Sequence, residues 1–174
     1  DIIKKDGYLS LIKFSENIDD VLDRFGSVPL PPYIDRKPDD SDEARYQTVY
    51  ADANNMNSVA APTAGLHFDN ELLERIKDKG VNIASITLDI GIGTFKPIKQ
   101  NDVKKHIMHS EKIYLSESNA HIINEALLSN SRIFCIGTTS LRCLESIYSQ
   151  FNEIKSYEGE TDIFIYPGFK FKVA

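Results

Sequence analysis

Residues 60–68, with the sequence Ala-Ala-Pro-Thr-Ala-Gly-Leu-His-Phe, lie directly before a predicted helix and have the composition of a ligand-binding turn. Gly65 lets a ligand approach the backbone closely, because no side chain stands in the way. The helix start offers free N–H donors and the positive end of the helix dipole. Thr63 and His67 add a hydroxyl and a proton-transfer group. The turn therefore indicates a binding site, and a tight connection with a structural histidine is the alternative.

A second turn, Gly137-Thr138-Thr139-Ser140, follows an apolar run and again places a small residue and hydroxyl groups before a helix. Such a helix start suits a carboxylate or a phosphate, and Arg142 follows within the same helical turn. Simple N-capping by the hydroxyl groups is the alternative. The P-loop pattern is absent, which excludes that nucleotide-binding motif.

A third group, His106, His109 and Glu111, has the residue types of a metal site, but the spacing is loose and no cysteine lies nearby. We therefore expect no metal here. His109 and Glu111 would share one face of an extended segment. A His–Glu pair for proton transfer is the favoured interpretation.

The acidic segment 35–45 contains five carboxylates and no periodicity, which predicts a mobile linker and a domain boundary near residue 46. Arg45, Tyr46 and Gln47 stand at this junction. A planar guanidinium beside an aromatic ring suits a nucleotide or a carboxylate, and it equally suits a surface anchor.

Charge is unevenly distributed along the chain. The net charge of −6, from 20 basic and 26 acidic residues, argues against a general polyanion binder. Residues 94–112 nevertheless hold five lysines against two acids, and this stretch can steer an anionic partner to one place. A solvated loop with a lysine excess is the alternative. The candidate lysines for an anionic partner are Lys96, Lys99, Lys104 and Lys105.

Periodicity predicts an α/β fold with a mainly parallel sheet and flanking helices, because helical and strand-like segments alternate. Ligands in such sheets bind at the carboxyl ends of the strands, where segments 91–96, 137–142 and 166–168 are expected to meet. The predicted strands are 8–14, 81–90, 111–115, 132–137 and 162–166. The predicted helices are 16–25, 69–79, one that begins after Ser116 or Ser118, and one capped by residues 138–140.

Composition excludes several classes of protein. The 41% of hydrophobic residues is enough for a core and excludes a mainly disordered chain. No stretch approaches the ~20 apolar residues of a membrane span, and the first residues lack the apolar run of a signal peptide. Cys135 and Cys143 are the two cysteines, and both are expected to be buried thiols. A cytoplasmic location without membrane contact is expected.

Six ordered blocks, which span most of the chain from residue 30, resemble one enzyme family. The chain is similar in these blocks to the S-adenosylmethionine:tRNA ribosyltransferase-isomerases of queuosine biosynthesis. Two positions differ from the family pattern, since Asp89 replaces a usual histidine and Asp69 a common threonine. The blocks are 30–34, 45–51, 58–68, 91–97, 106–111 and 137–140.

The resemblance implies a tRNA modification reaction. The ribosyl part of S-adenosylmethionine, the cosubstrate, moves onto 7-aminomethyl-7-deazaguanine at the wobble position of a tRNA, and epoxyqueuosine forms. It also implies a small β-barrel domain inserted in a larger α/β domain. Residues 1–46 would then be part of the barrel domain and its linker, and residues 47–174 the central part of the α/β domain. Family members are about twice this length, so we expect a fragment.

Within this reaction a base must remove a proton from the carbon next to the sulfonium. His67 or the His109–Glu111 pair is the hypothesis for that base. Tyr46 or Tyr166 can face the sulfonium by cation–π attraction. Thr138, Thr139, Ser140 and Arg142 would hold a carboxylate or phosphate, and the four candidate lysines would contact the tRNA backbone. The remaining expected substrate-binding residues are Arg45, Gln47, Thr63, Gly65, Gly93 and Thr94.

Two other functions remain open from the residues alone. A metal-dependent hydrolase would use His106, His109 and Glu111. A noncatalytic RNA-binding module would bind tRNA without responding to S-adenosylmethionine, although the aromatic stacking platforms of known modules are missing.

Overall fold

The structure of the protein, a computed structural model, describes residues 1–6, 9–52, 58–91 and 108–174. Both α-helices and β-strands occur in these ranges. The strands are β1 (Ile2–Asp6), β2 (Leu9–Ile12), β3 (Thr87–Asp89), β4 (Glu111–Leu115) and β5 (Tyr157–Thr161). The helices are α1 (Ile18–Phe25), α2 (Asp42–Arg45), a 3₁₀ helix (Thr63–His67), α3 (Asn70–Asp78), α4 (Glu117–Leu128) and α5 (Gly137–Phe151).

The core lies between one face of a three-stranded sheet and the helices α4 and α5. The strand order is β3-β4-β5. Residues of β4 alternate between buried and exposed, as expected when only one face of a sheet is covered. The buried apolar residues of this core are Ile113, Leu115, Ala120, Ile123, Cys143, Leu144, Ile147, Ile154 and Val173.

The prediction of a mainly parallel sheet is wrong for the described residues, since β4 pairs antiparallel with both β3 and β5. Parallel neighbours need one crossover that returns the chain to the same end of the sheet. Here two helices, α4 and α5, separate β4 from β5. The chain therefore re-enters the sheet from the opposite end.

Several predicted strands also have different bounds. Of the strand predicted over 81–90, only Thr87–Asp89 pairs within the described residues. A strand was predicted over residues 162–166, but the observed strand is Tyr157–Thr161, immediately before that range. Residues 132–136 form no ladder in the described part of the chain, although Ile133 and Cys135 do pack against the core.

The positions of the helices predicted after residue 60 are confirmed, and two of the helices begin at predicted side-chain caps. The side chain of Asp69 accepts from the N–H of Leu72 at 2.7 Å and begins α3. Gly80, with φ of +75°, follows the last turn of that helix, as predicted. Ser116 accepts from the N–H of Asn119 and begins α4.

The strands β1 and β2 pair antiparallel to form a hairpin, and α1 follows them. Asn17 caps α1, as the sequence predicts for a short helix that ends at Gly26. Neither the hairpin nor the helix contains a buried side chain among its described residues, and Phe25 is 77% exposed. No closed barrel is present in the described residues, and the division at residue 46 stays a prediction.

The acidic segment contains an ion pair, and its role as a mobile linker stays a prediction. Arg36 donates from Nη1 and Nη2 to the two carboxylate oxygens of Asp42, each at 2.6 Å. The backbone N–H of Asp39 donates to the same carboxylate at 2.8 Å. The sequence of this segment has an excess of acidic residues, but the Arg36 guanidinium binds the carboxylate of Asp42, the first residue of α2.

We expect the Asp42 carboxyl to titrate with a pKa of about 2, because hydrogen bonds from Arg36 and from the Asp39 backbone lower it. The folded pKa lies below the unfolded value of about 3.9. The stabilisation is therefore complete above the unfolded pKa and is lost as the pH falls toward the folded value. A carboxyl carbon NMR titration measures the midpoint. The midpoint should rise in Arg36→Gln, and an unchanged midpoint would contradict the assigned cause.

The two cysteines differ in burial. Cys143 has no exposed surface, and burial raises the pKa of its thiol to about 12. Cys135 is half-buried, and burial, followed by the charge of Glu145, raises its pKa as well. The prediction of two buried thiols is thus confirmed for Cys143 and is wrong for Cys135. None of the helices in the described ranges has the length and apolar character to cross a membrane.

Candidate active site

Three of the sequence blocks meet beside the first turn of α5. Gly65 is buried, and a Cβ built on it would lie 2.0 Å from Tyr50 Oη and 2.8 Å from Thr48 Cγ2. Gly137 has a φ of +89°, and its Cβ position lies 3.4 Å from the Cβ of Ala64. Both positions thus require glycine, the first for close approach and the second for its backbone conformation. We call residues 46–50, 63–67 and 137–140 the turn cluster.

The tyrosine of the junction block is an internal part of this cluster. Tyr46 is 9% exposed and Thr48 is 5% exposed. Burial raises the pKa of the Tyr46 phenol. Arg45 and Gln47 are exposed, and the Gln47 side chain accepts from the N–H of Thr48 at 2.8 Å. The sequence predicts that residues 45–48 form one binding block, whereas the structure buries two of these side chains and exposes the other two.

The hydroxyl groups at the start of α5 do not cap the helix. Helix α5 begins at Gly137, and no side chain accepts a capping hydrogen bond at the N-cap residue, Ile136. Ser140 instead donates backward to the carbonyl of Ile136 at 3.0 Å. Thr138 is exposed and Thr139 is half-buried. Capping by residues 138–140 is thus wrong, and the first N–H groups of α5 keep their donor capacity for another partner.

The two candidate bases lie in different surroundings. His67 ends the 3₁₀ helix of the turn cluster and is exposed. Glu111 is 7% exposed and lines a cavity of about 420 Å³. His109 is exposed and does not line this cavity, so the structure does not join it with Glu111 there. The other residues that line this cavity are Asp89, Ile90, Gly91, Ser110, Lys112 and Glu160.

Arg142 holds Glu111 in place. Its Nη1 donates to Oε2 of Glu111 at 2.5 Å, and its Nε donates to the carbonyl of Ile163 at 3.0 Å. The side chains are 12% and 7% exposed, respectively. Nη2 of Arg142 is buried and has no hydrogen-bond partner among the described residues. The sequence predicts that Arg142 binds a substrate anion, whereas two of its nitrogens here donate to Glu111 and to Ile163, two residues after β5.

Helix α5 connects the turn cluster with the Glu111 carboxylate. Gly137 faces the 3₁₀ helix, and Arg142 reaches Glu111 from five residues further on. Five residues of an α-helix correspond to a rise of about 7.5 Å. The turn cluster and Glu111 therefore both contact the first two turns of one helix, and the cavity of about 420 Å³ that Glu111 lines contains no residue of the turn cluster.

Other predicted site residues are scattered or undescribed. Tyr166 is 37% exposed, and its ring centroid lies 5.9 Å from that of Phe164. Thr63 is exposed. In the described ranges, no group of three or more His, Cys, Asp and Glu residues could hold a metal ion. The predicted residues outside the described ranges are Gly93, Thr94, Lys96, Lys99, Lys104, Lys105 and His106.

Sequence reasoning missed Glu145, which is 0% exposed on the inner face of α5. Its carboxylate accepts from the backbone N–H groups of Lys172 and Val173 at 2.9–3.0 Å. A buried charge of this kind is stable only with such donors. No sequence signal predicted it, because its partners are backbone groups 27 or more residues away.

The whole chain, residues 1–174, matches the model of the queuosine biosynthesis protein family, and the chain belongs to this family. It is 49% identical over 174 residues to an S-adenosylmethionine:tRNA ribosyltransferase-isomerase from Francisella philomiragia, covering 99% of this chain and 51% of the relative. It is 47% identical to a protein of the same name from Lachnoclostridium phytofermentans, covering 99% of this chain and 46% of that protein. The chain thus spans about half the length of these relatives.

A solved structure is also similar. The S-adenosylmethionine tRNA ribosyltransferase of Thermotoga maritima is 36% identical to the chain, with a TM-score of 0.49. The match covers 63% of this chain and 33% of the other. The family resemblance inferred from the six sequence blocks is confirmed by the family match.

Proposed function

We propose that this chain is part of an S-adenosylmethionine:tRNA ribosyltransferase-isomerase and contributes to its cosubstrate site. The reaction moves the ribosyl group of S-adenosylmethionine onto 7-aminomethyl-7-deazaguanine at the tRNA wobble position, and adenine and methionine leave. Family membership and the similarity to enzymes of that name over the whole chain support the proposal. The single observation that carries the site is the meeting of three separate sequence blocks in the turn cluster.

The start of α5 takes the methionine carboxylate in this proposal. Its first N–H groups are free of side-chain caps, and the hydroxyl groups of Thr138 and Thr139 lie beside them. A carboxylate there gains charge-assisted hydrogen bonds and the favourable end of the helix dipole. Tyr166, which is more exposed than Tyr46, faces the sulfonium.

His67 is the base that removes the proton from the carbon next to the sulfonium. It is exposed beside the turn cluster, whereas Glu111 is already bound by Arg142. A base must reach the proton that it removes, which favours His67. Glu111 and Arg142 then position the strand ends around the cosubstrate.

The tRNA backbone contacts Lys96, Lys99, Lys104 and Lys105 in this proposal, because residues 94–112 have a lysine excess on an acidic chain. Residues 1–46 belong to the barrel domain and its linker, and residues 47–174 to the α/β domain. The reaction takes place in the cytoplasm and uses no metal.

Calorimetric titration of this chain with S-adenosylmethionine tests the cosubstrate site. We expect one site, which Thr139→Val weakens about tenfold or more, because a hydrogen bond to a charged group is removed. Ser129→Ala is the matched control, since this hydroxyl lies at the C-terminal end of α4, outside the turn cluster, and donates to the backbone. Absence of binding heat, or equal affinity in both variants, would overturn the site.

A further inference from the structure

Helix α5 carries a buried carboxylate that the proposed mechanism does not use. Glu145 is 0% exposed, and among the described residues it forms no ion pair. Three successive backbone N–H groups donate to it instead. Lys172 donates at 2.9 and 3.0 Å, Val173 at 2.9 Å and Ala174 at 3.4 Å. One carboxylate thus holds the backbone of residues 172–174 against the helix.

A charge at position 145 has a purpose other than filling the core. Taking a carboxylate out of water costs free energy, and the hydrogen bonds that it accepts offset this cost. Its neighbours on α5, Leu144 and Ile147, are apolar core residues. An apolar side chain here would extend that core without the cost, but it could not accept an N–H. The carboxylate therefore determines where residues 172–174 lie.

Arg142 holds the same piece of chain at its other end. Its Nε donates to the carbonyl oxygen of Ile163 at 3.0 Å. Arg142 and Glu145 are three residues apart, so they lie on the same face of α5. Residues 163–172 are thus held at both ends by neighbouring side chains of one helix, and we call them the clamped segment.

The clamped segment makes a tight turn that begins at Tyr166. The N–H of Phe169 donates to the carbonyl oxygen of Tyr166 at 3.0 Å, and Gly168 has a φ of +98°. Most other residues would be strained in this conformation, so the turn favours glycine. Tyr166 therefore lies between two anchor points, three residues after Ile163 and six before Lys172.

The Tyr166 ring is partly exposed, so its direction depends on the backbone that carries it. It is 37% exposed, and its centroid lies 5.9 Å from that of Phe164. A cation–π contact requires a cation over the face of the ring, within about 6 Å of its centroid. A ring in that role has to be held to within roughly 0.5 Å, which favours a turn that is anchored at both ends.

We infer that Glu145 is a positioning residue, which fixes the clamped segment so that the Tyr166 ring faces the sulfonium of the cosubstrate. The inference rests on the proposed function, which places Tyr166 there. Glu145 is fully buried, so it acts through the backbone of residues 172–174 and not by contact with the cosubstrate. Without the carboxylate only the Arg142 anchor is left, and the ring samples a wider range of directions.

A fluorescent probe tests the positioning without any ligand. Tyr166→Trp introduces a single fluorophore, because the chain contains no tryptophan. Adding Glu145→Gln keeps the size of the side chain but replaces one acceptor by a donor, and it should lower the anisotropy and raise quenching by acrylamide. Glu145→Leu should do the same with an apolar side chain that fills the core. Unchanged anisotropy and quenching in both variants would overturn the inference.

Ile147→Val is the matched control for a general loss of stability. Ile147 is 1% exposed and lies on the same helix, and the substitution removes one methylene from the core. With all variants measured well below their melting temperatures, this one should leave the tryptophan signal unchanged. Equal effects of Ile147→Val and Glu145→Gln would make Glu145 a structural residue only, which contradicts the inference.

Selectivity for the sulfonium tests whether the positioning reaches the ligand. S-adenosylhomocysteine has a neutral sulfur where S-adenosylmethionine has a sulfonium. Calorimetry with this chain should show that S-adenosylmethionine binds about 2- to 30-fold more tightly, the range of a cation–π contact, and Tyr166→Leu should remove this preference. Glu145→Gln should lower the ratio of the two affinities by about twofold or more, because a displaced ring loses part of the contact. A residue with only a structural role would weaken both ligands equally.

A double variant shows whether the effect passes through the ring. Once Tyr166→Leu has removed the ring, Glu145→Gln should leave the ratio of affinities unchanged. A further fall in the double variant, or an unchanged ratio in Glu145→Gln alone, would overturn the positioning role. Absence of S-adenosylmethionine binding, or an unchanged ratio in Tyr166→Leu, would instead overturn the proposed place of Tyr166. The anisotropy of Tyr166→Trp would then still decide whether Glu145 fixes the clamped segment.

Discussion

Replacing His67 with alanine should slow adenine release by about 10²–10⁴-fold, the usual contribution of a positioned acid or base. The loss should appear in the rate at saturating S-adenosylmethionine, because the side chain is proposed to act on the proton and not to hold the cosubstrate. Single-turnover release of adenine in the full-length enzyme measures it, since this chain spans about half the length of its relatives.

Three other substitutions separate the candidates. His121→Ala, on the exposed side of α4, is the matched control and should leave the rate unchanged. His109→Ala should also have little effect, because His109 does not line the cavity of Glu111. A normal rate in His67→Ala together with a large loss in Glu111→Gln would transfer the role of base to Glu111.

Arg142→Met should destabilise the protein by about 3–5 kcal/mol, because it leaves the buried Glu111 carboxylate without a counter-charge. The Arg142 side chain is 12% exposed and that of Glu111 is 7% exposed, so solvent cannot replace the guanidinium. For a chain of this size, each kcal/mol lowers the melting temperature by about 2–4 °C. Urea unfolding followed by circular dichroism measures the difference.

An exposed pair in the same chain is the control for burial. Arg24 and Glu16 lie at the same N–O distance, 2.5 Å, but their side chains are 51% and 60% exposed. Arg24→Met should therefore cost at most about 1 kcal/mol. The double variant Arg142→Met with Glu111→Leu should recover most of the lost stability, because no charge stays buried. Equal effects of the two arginine substitutions would show that burial does not govern the pair.

Local signals allowed the sequence to predict individual helices. Asp69 and Ser116 each supply an N-cap, and Gly80 ends a helix in a conformation that other residues disfavour. These interactions span at most four residues, so they depend only on neighbours in the sequence and can be predicted from it. The composition of the short segments 63–67 and 137–140 is also a local signal, and their small residues and hydroxyl groups indicated a site.

The pairing of strands that are distant in the chain was harder to predict from the sequence. Strand β5 pairs antiparallel with β4 after two intervening helices, and residues 132–136, predicted as a strand, form no ladder in the described ranges. The neighbours of β4 were also inaccessible, because alternation shows that one face is exposed but not which side chains of β3 and β5 lie beside it.

The sequence alone determined the family, most helix positions and the residue types of the turn cluster, because motifs and caps are local. Only the tertiary structure decided which groups bind the buried carboxylates. Arg142 reaches Glu111 across 31 residues, and Glu145 reaches backbone donors 27 or more residues away. Such contacts depend on how α5 packs on the sheet, and packing geometry is a property of the assembled core rather than of any segment within it.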